Sequence, residues 1–469
     1  MTRPLPRPSA SLDLDADQME LLTKGATSFV IDHLTSLGEQ PSWDTDGAEQ
    51  LGEELTRPLP EAGRPFEETL HDMGRAIAKS YNTASGRYMA YIPGGGLYPA
   101  ALADYIALTA NRYVGMHDAA PALVAIERMA IDWLREFVGY PEGAEGLLTT
   151  GGTLSTLVAL VTARTVRLGE DMVGATYYTS EQAHSCIAKS ARLAGLPTAG
   201  LRLISTDERL RMDPAALAKQ IAADRAAGLR PFLVAATAGT TNTGAVDPVP
   251  AIADICESEG LWLHVDGAYG GFFRGVPGGH ELLPGLERAD SLVLDPHKSL
   301  FLPYGTGCLL VREPGQLQQA HGSAADYLQD LTATAHNFAE MSPELTREAR
   351  GLRVWAAVDF YGAEALRDAL REKLELAQWL HDELSTTEGI EMGDRPQLSV
   401  VSFRFRSADG DSDALNEALL HKINARRRIF LSSTKINGMF TLRVCLLHFR
   451  TNGDEVKAAL EEIQAAAAI

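Results

Sequence analysis

Between about residue 145 and residue 312, short apolar runs alternate with stretches of helical pattern: GLLTT, ATYYTS, LRLIS, FLVAAT, LWLHVD, DSLVLD and TGCLLV. Apolar runs of this length, bounded by helices, read as strands buried on both faces, and strands joined by helical crossovers pair in parallel. The segment therefore predicts an α/β domain with a mostly parallel central sheet under helices on both sides. Boundary chemistry agrees. Asp213 before Pro214 predicts a helix N-cap with proline at the first helical position, and Gly260 ends a helix just before LWLHVD.

A chain of 469 residues exceeds what one core serves, so flanking units are expected. A Pro- and Ser-containing lead to about residue 16, then helical patterns at Met19 to Leu37 and Pro65 to Tyr81, predict an N-terminal helical extension over 1–90. The large domain is expected over 91–375. After a helical stretch from Arg353 to Leu384, the strand-like LSVVSFRF, a helix at Ala414 to Ala425, FTLRVCLL and a last helix predict a small α+β domain over 376–469.

Composition narrows the partners. A net charge of −20 argues against binding a phosphate backbone, so no nucleic-acid partner is expected. Cys186, Cys256, Cys308 and Cys445 show no CxxC pairing and read as reduced thiols of a cytoplasmic protein; no metal site is expected. The opening MTRPLPRPSASLDLDADQ lacks the apolar segment of an export signal, and no run approaches the roughly 18 apolar residues of a membrane span. A soluble protein with no membrane partner is expected.

The strand ends carry candidate chemistry. Lys298, in LDPHKSL, follows an apolar strand at the edge where parallel sheets expose ligand loops, and a lysine there can form an imine; an isolated lysine is otherwise a surface residue. Asp266 ends the strand in LWLHVDGAYGG, where burying a carboxylate requires a cation or a donor. A protonated pyridine nitrogen is such a partner, and a metal or a purely structural role are the alternatives. TTGGTLST opens a helix, so the Gly151–Gly152 backbone and the Thr153 hydroxyl form a candidate phosphate site; a simple turn is the alternative, and the lysine of a Walker loop is absent. His184, in SEQAHSC, offers a ring to stack on a flat cofactor, or a structural histidine. ATAGTTNTG supplies the hydroxyl of Thr237, and on its own is a polar loop. The conjunction is far more specific than any one part.

The order TTGGT, SEQAHS, ATAGTTNTGAVDP, HVDGAYGG and DPHK resembles the group II pyridoxal-phosphate-dependent decarboxylases of the aromatic-L-amino-acid decarboxylase type. YIPGGGLYPAALAD, APALVAIE, SPELTREARGLRVW and FTLRVCLLHFRT extend the resemblance over most of the chain. It implies the fold type I (aspartate aminotransferase-like) architecture, pyridoxal 5′-phosphate as cofactor and an obligate homodimer with active sites between subunits. By that resemblance Lys298 forms the internal aldimine, Asp266 pairs with the pyridine nitrogen and His184 stacks on the ring. Thr153 and Gly151–Gly152 hold the phosphate, Thr237 and Ala268 touch the cofactor, and His297 lines the pocket.

Tyr327, in AADYLQD, matches the loop tyrosine taken to reprotonate Cα, which favours simple decarboxylation of an L-amino acid to an amine through aldimine and quinonoid intermediates. The rival outcomes are oxidative deamination to an aldehyde, β-elimination on a cysteine-derived substrate, or a catalytically silent cofactor-binding protein. The substrate pocket is assigned to Tyr91, Pro93, Gly94, Gly115 and His297. Here the chain departs from the resemblance. NTASGRYMAYIPGG carries Thr83 and Gly94 in place of a bulky wall and a hydroxyl, and RYVGMHDAAP carries Gly115 in place of an aromatic residue. A wider pocket and a substrate that need not be aromatic are the expectation.

Overall fold

The computed structural model describes residues 12–322, 337–407, 410 and 412–467. Its centre is a seven-stranded sheet of β1 (Glu145–Thr149), β2 (Ala175–Ser180), β3 (Leu201–Ile204), β4 (Arg230–Thr237), β5 (Trp262–Asp266), β6 (Ser291–Leu294) and β7 (Gly307–Val311), in the order β1-β7-β6-β5-β4-β2-β3. All seven coincide with the apolar runs read from the sequence. Strands β2 to β6 pair in parallel, whereas β7 lies antiparallel to both β6 and β1. The connection into β7 holds only the four-residue helix Pro296–Ser299, not the full covering helix that a parallel crossover uses. The C-terminal ends of β1, β2, β4, β5 and β6 therefore share one edge, where open α/β sheets bind ligands.

Apart from the edge strand β3, where only Ile204 is buried, the strands are buried along almost their whole length, as expected for a sheet covered on both faces. Helix Gly152–Leu168 packs across β4, β5, β6 and β7, burying Val158, Ala159, Leu160 and Ala163. Side chains such as Trp262, Tyr178, Phe272 and Phe273 complete this core, each contributing roughly 2–3 kcal/mol by leaving water. The Asp213 carboxylate accepts the N–H of Ala215 at 2.8 Å, and Gly260 takes the left-handed conformation at φ 67°, so both predicted helix boundaries form.

A second, antiparallel sheet runs β10-β11-β9-β8, from β8 (Ile390–Met392), β9 (Val400–Phe405), β10 (Ser432–Ile436) and β11 (Met439–Cys445). Helices Ser412–Ala425 and Gly453–Ala467 cover it. The sequence signal missed β8, which is three residues long, and β10, whose SSTKI is mostly polar. Helix Arg350–Ser385 joins the two cores: Val354, Leu366 and Leu370 belong to the first, and Ala377, Leu380 and Leu384 to the second. Inside it Gly362, at φ 76° and ψ 156°, breaks the helical geometry, which glycine accommodates without Cβ strain.

Helices Ala16–Thr35, Ala48–Leu55 and Phe66–Ala78 precede the large sheet in the chain and contain no buried residue. Among the described residues, no helix is long and apolar enough to cross a membrane.

Candidate functional site

The turn after β6 sets the site. Residues 296–299 make one helical turn with Asp295 at its cap, and the Lys298 N–H donates to the Asp295 carbonyl at 2.8 Å. Side chains three residues apart share a helix face, so Lys298 Nζ meets Asp295 Oδ2 at 3.0 Å. The Ser299 hydroxyl donates to the Tyr269 carbonyl, which ties this turn to the loop after β5. Burial alone would depress the ammonium pKa; Asp295 and Asp266 outweigh it and hold Lys298 above its ordinary value.

Asp266 ends β5 between Thr237 of β4 and Val293 of β6. Its carboxylate accepts the Ala268 N–H at 3.1 Å and faces the Cys186 thiol at 3.9 Å. Burial, then the Asp266 charge, holds that thiol far above its ordinary pKa, so it stays protonated and can only donate weakly. Among the described residues no cation lies within ion-pair distance of Asp266. A buried carboxylate without a protein cation is suited to a cationic ring nitrogen.

Beside it, β1 runs into helix Gly152–Leu168 through a glycine turn. The Thr149 hydroxyl accepts the Gly151 N–H at 3.1 Å and contacts Ser155 Oγ at 2.7 Å, which fixes the turn. A Cβ on Gly152 would stand 2.9 Å from Asp295 Oδ2 and 3.2 Å from Ala268 Cβ; one on Gly151 would stand 3.2 Å from His297 Cε1. A side chain at either position would require its neighbours to shift, and with glycine the backbone at the helix start is left open to the cavity. That is the cradle an anionic phosphate uses.

Two histidines complete the lining. His184 Nδ1 accepts the Cys186 N–H at 3.2 Å, which leaves Nε2 as the ring nitrogen that carries a proton. His297 Nδ1 bonds the Thr306 carbonyl at 2.8 Å, its Nε2 lies 3.7 Å from Asp295 Oδ2, and burial holds its pKa below the ordinary histidine value.

These residues surround one cavity of about 270 Å³, and every residue that the resemblance assigned to the cofactor lines it. Tyr91, Pro93, Gly94 and Gly115 are outside this lining. At Gly94 the space for a Cβ is filled by the His297 carbonyl, 2.5 Å away, and at Gly115 by the Leu345 carbonyl at 2.6 Å and the Tyr113 hydroxyl at 2.8 Å. Within this chain neither glycine leaves room for a missing side chain. Tyr327 lies outside the described residues.

Three residues of the site carry no role in the sequence reading. Asp295 was legible only as an acid one helical turn before the lysine. Cys186 is two residues beyond His184. Asp247 accepts the N–H groups of Thr237 at 2.8 Å and Met212 at 2.7 Å, bracing the loop after β4; burial pushes its pKa up to about 6. A carboxylate ten residues past the strand end gives no local signal of that role.

A glycine cradle, a buried carboxylate with no cation at ion-pair distance among the described residues and a buried lysine suit pyridoxal phosphate in charge and in chemistry. The comparisons agree. A family model described as the pyridoxal-dependent decarboxylase conserved domain matches residues 49–406. An aromatic-L-amino-acid decarboxylase of Bacillus atrophaeus is 34% identical over 98% of this chain and 97% of its own length. The enzyme of that name from Sus scrofa is 31% identical over 88% and 89%. Among solved structures, Oryza sativa TDC with PLP and tryptamine superposes with a TM-score of 0.93 at 28% identity, covering 98% of this chain and 99% of the other. The fold is thus the type I architecture, and the chain belongs to the pyridoxal-dependent decarboxylases.

Proposed function

We propose that this decarboxylase acts on an aromatic L-amino acid and returns the corresponding amine, working as a homodimer. The observation that carries the reading is the meeting of Lys298, Asp266 and the Gly151–Thr153 turn in one cavity. Bound pyridoxal phosphate supplies an electron sink for the pair left at Cα when the carboxylate departs. The chain's part is to place and polarise. Lys298 holds the cofactor, Asp266 keeps its ring nitrogen protonated, the glycine turn and Thr153 bind its phosphate, and His184 stacks on its ring. Thr237, Ala268 and His297 close the cavity around it.

An aromatic substrate is supported by the names of the relatives, and by Gly94 and Gly115 leaving no vacated space in this chain. Tyr91, Pro93, Gly94, Gly115 and His297 remain the proposed pocket segment, completed by a second subunit. Tyr327 is the proposed proton donor to Cα. A homodimer is supported by the apolar surface of helix Tyr98–Ala110, where Leu102, Tyr105, Ile106 and Leu108 are exposed, and of helix Ala16–Thr35, where Met19, Leu21, Val30 and Ile31 are exposed. Four buried free cysteines fit a reducing, cytoplasmic setting.

The test is to incubate the holoenzyme with a panel of L-amino acids and record carbon dioxide, ammonia and oxygen. Carbon dioxide with amine and no ammonia from aromatic substrates is the expected result. Ammonia with oxygen uptake means aldehyde formation, a keto acid with retained carboxylate means elimination, and no turnover despite bound cofactor means a silent binder.

A further inference from the structure

The chain passes from one hydrophobic core to the other at Tyr91. Before it, Met89 packs in the core of the small sheet, where its N–H donates to the Phe430 carbonyl and its carbonyl accepts the Cys445 N–H, each at 2.9 Å. After it, the N–H groups of Gly96 and Leu97 donate to the Phe301 carbonyl, and Leu97 belongs to the core of the large sheet. Tyr91 makes the bend at φ 54°, in the left-handed region that an ordinary L residue disfavours roughly tenfold. Its side chain is 54% exposed, so packing of the ring does not hold that conformation.

A facing pair on the small sheet does. Ser432 of β10 and Arg443 of β11 stand directly opposite in the strand register. The Ser432 hydroxyl accepts the Tyr91 N–H at 3.1 Å and an Arg443 N–H at 3.3 Å. Arg443 also donates to the Tyr91 carbonyl at 3.4 Å and to the Thr241 carbonyl at 2.5 Å. The pair thus takes both backbone polar groups of the bend, and ties it to Thr241, which lines the cofactor cavity.

Arg443 is 4% exposed, its Nε is buried without a hydrogen-bond partner, and among the described residues no carboxylate lies within ion-pair distance of it. A cation buried on these terms contributes little net stability. What its planar fork supplies is direction, because fixed N–H vectors reach three chain segments at once. Gly94, three residues beyond Tyr91, packs against the His297 carbonyl, so a swing at the bend would shift backbone beside the cofactor lysine.

We propose that Arg443, together with Ser432, is a positioning residue of the decarboxylase: the pair holds Tyr91 in its left-handed conformation and so fixes the 91–94 segment against the cavity wall at Thr241. The inference rests on that segment lining the substrate pocket. Arg443 acts through backbone atoms, makes and breaks no bond, and its effect falls on substrate binding.

The test is steady-state kinetics of the holoenzyme on whichever of L-tryptophan, L-tyrosine and L-phenylalanine the wild type decarboxylates fastest. Arg443→Lys and Ser432→Ala are each measured alone and combined with Tyr91→Gly. Arg443→Lys keeps the charge and loses the fork; it is expected to raise KM about 10-fold or more, with kcat within about threefold of wild type and the visible band of bound cofactor kept. Ser432→Ala is expected to raise KM about 3- to 10-fold, and carries the test if Arg443→Lys does not fold. Glycine adopts φ 54° without strain, so in the Tyr91→Gly background either change is expected to raise KM no further than about twofold. An arginine that serves stability alone gives the same loss in both backgrounds, and that result overturns the proposal. So does a wild-type KM in the single variants, or a loss confined to kcat. A wild type that decarboxylates none of the three amino acids overturns the substrate reading and this proposal with it, whereas wild-type turnover with equal losses in both backgrounds overturns only the role of Arg443 and Ser432.

Discussion

Lys298 and Asp295 are one helical turn apart, and their charged ends meet at 3.0 Å beside the glycine turn that opens the first helix of the large sheet. The lysine therefore does not sit alone at the strand edge: it is oriented by an acid from its own turn, and that turn is tied through Ser299 to the loop carrying Ala268 and Tyr269.

Replacing the lysine tests the centre of the site. Lys298→Ala is expected to abolish the visible absorbance of bound cofactor and to lower carbon dioxide release by about 10³-fold or more. Absorbance spectra and single-turnover assays read both. Retention of the band in this variant refutes the assignment of Lys298.

Asp266 works differently, through the charge it places against the ring nitrogen. Asp266→Asn preserves its size and the hydrogen bond from Ala268 but removes that charge. The expectation is a fall in kcat of about 10²- to 10³-fold, with the visible band of bound cofactor still forming. Wild-type kcat with the neutral amide would show that ring protonation does not depend on this residue.

The glycine turn makes a steric prediction. In Gly152→Ala the new Cβ stands 2.9 Å from Asp295 Oδ2, so the turn or the acid must move. Overpacking of this kind costs about 1–3 kcal/mol, which corresponds to a cofactor dissociation constant raised roughly 5- to 150-fold. Equilibrium titration with pyridoxal phosphate measures it, and an unchanged constant would mean that the turn yields freely.

Asp247 should appear in the pH dependence of stability. Its carboxyl is pushed up to about 6 in the folded chain, above its ordinary value near 3.8, so folding favours the protonated form. The stabilisation this supplies is complete below about pH 4 and is lost as pH rises through about 6. Relative to Asp247→Asn, which cannot titrate, the wild type is expected to gain stability on going from pH 7 to pH 5.5, by on the order of 1 kcal/mol. Denaturant melts at the two pH values give the comparison, and parallel behaviour of the two proteins counts against a raised carboxyl.

Assembly can be read by sedimentation. Ile106 is 62% exposed on helix Tyr98–Ala110, within the apolar surface proposed to meet a second copy. Wild-type protein is expected at twice the mass of the chain, and Ile106→Glu is expected to raise the dissociation constant about 30-fold or more by stranding a charge at the contact. A dimer untouched by this change would place the interface elsewhere.

The local features were legible in the sequence because they are local. The strands of the large sheet follow from apolar runs of four to eight residues, the caps at Asp213 and Gly260 from single side chains, and the lining at Gly151, His184, Asp266 and Lys298 from motifs at successive strand ends. What tertiary structure alone decided are relations between distant positions. The antiparallel direction of β7 depends on which helix covers its connection, and the closure of Gly94 by the His297 carbonyl joins residues some two hundred apart. The link between Asp247 and Thr237, and the meeting of Asp295 with the Gly152 turn, are of the same kind. A sequence period reports which face of an element is apolar; it carries no information about which backbone or charge lies across from it. For a buried carboxylate that partner decides whether the group is an ion, an acid or a brace.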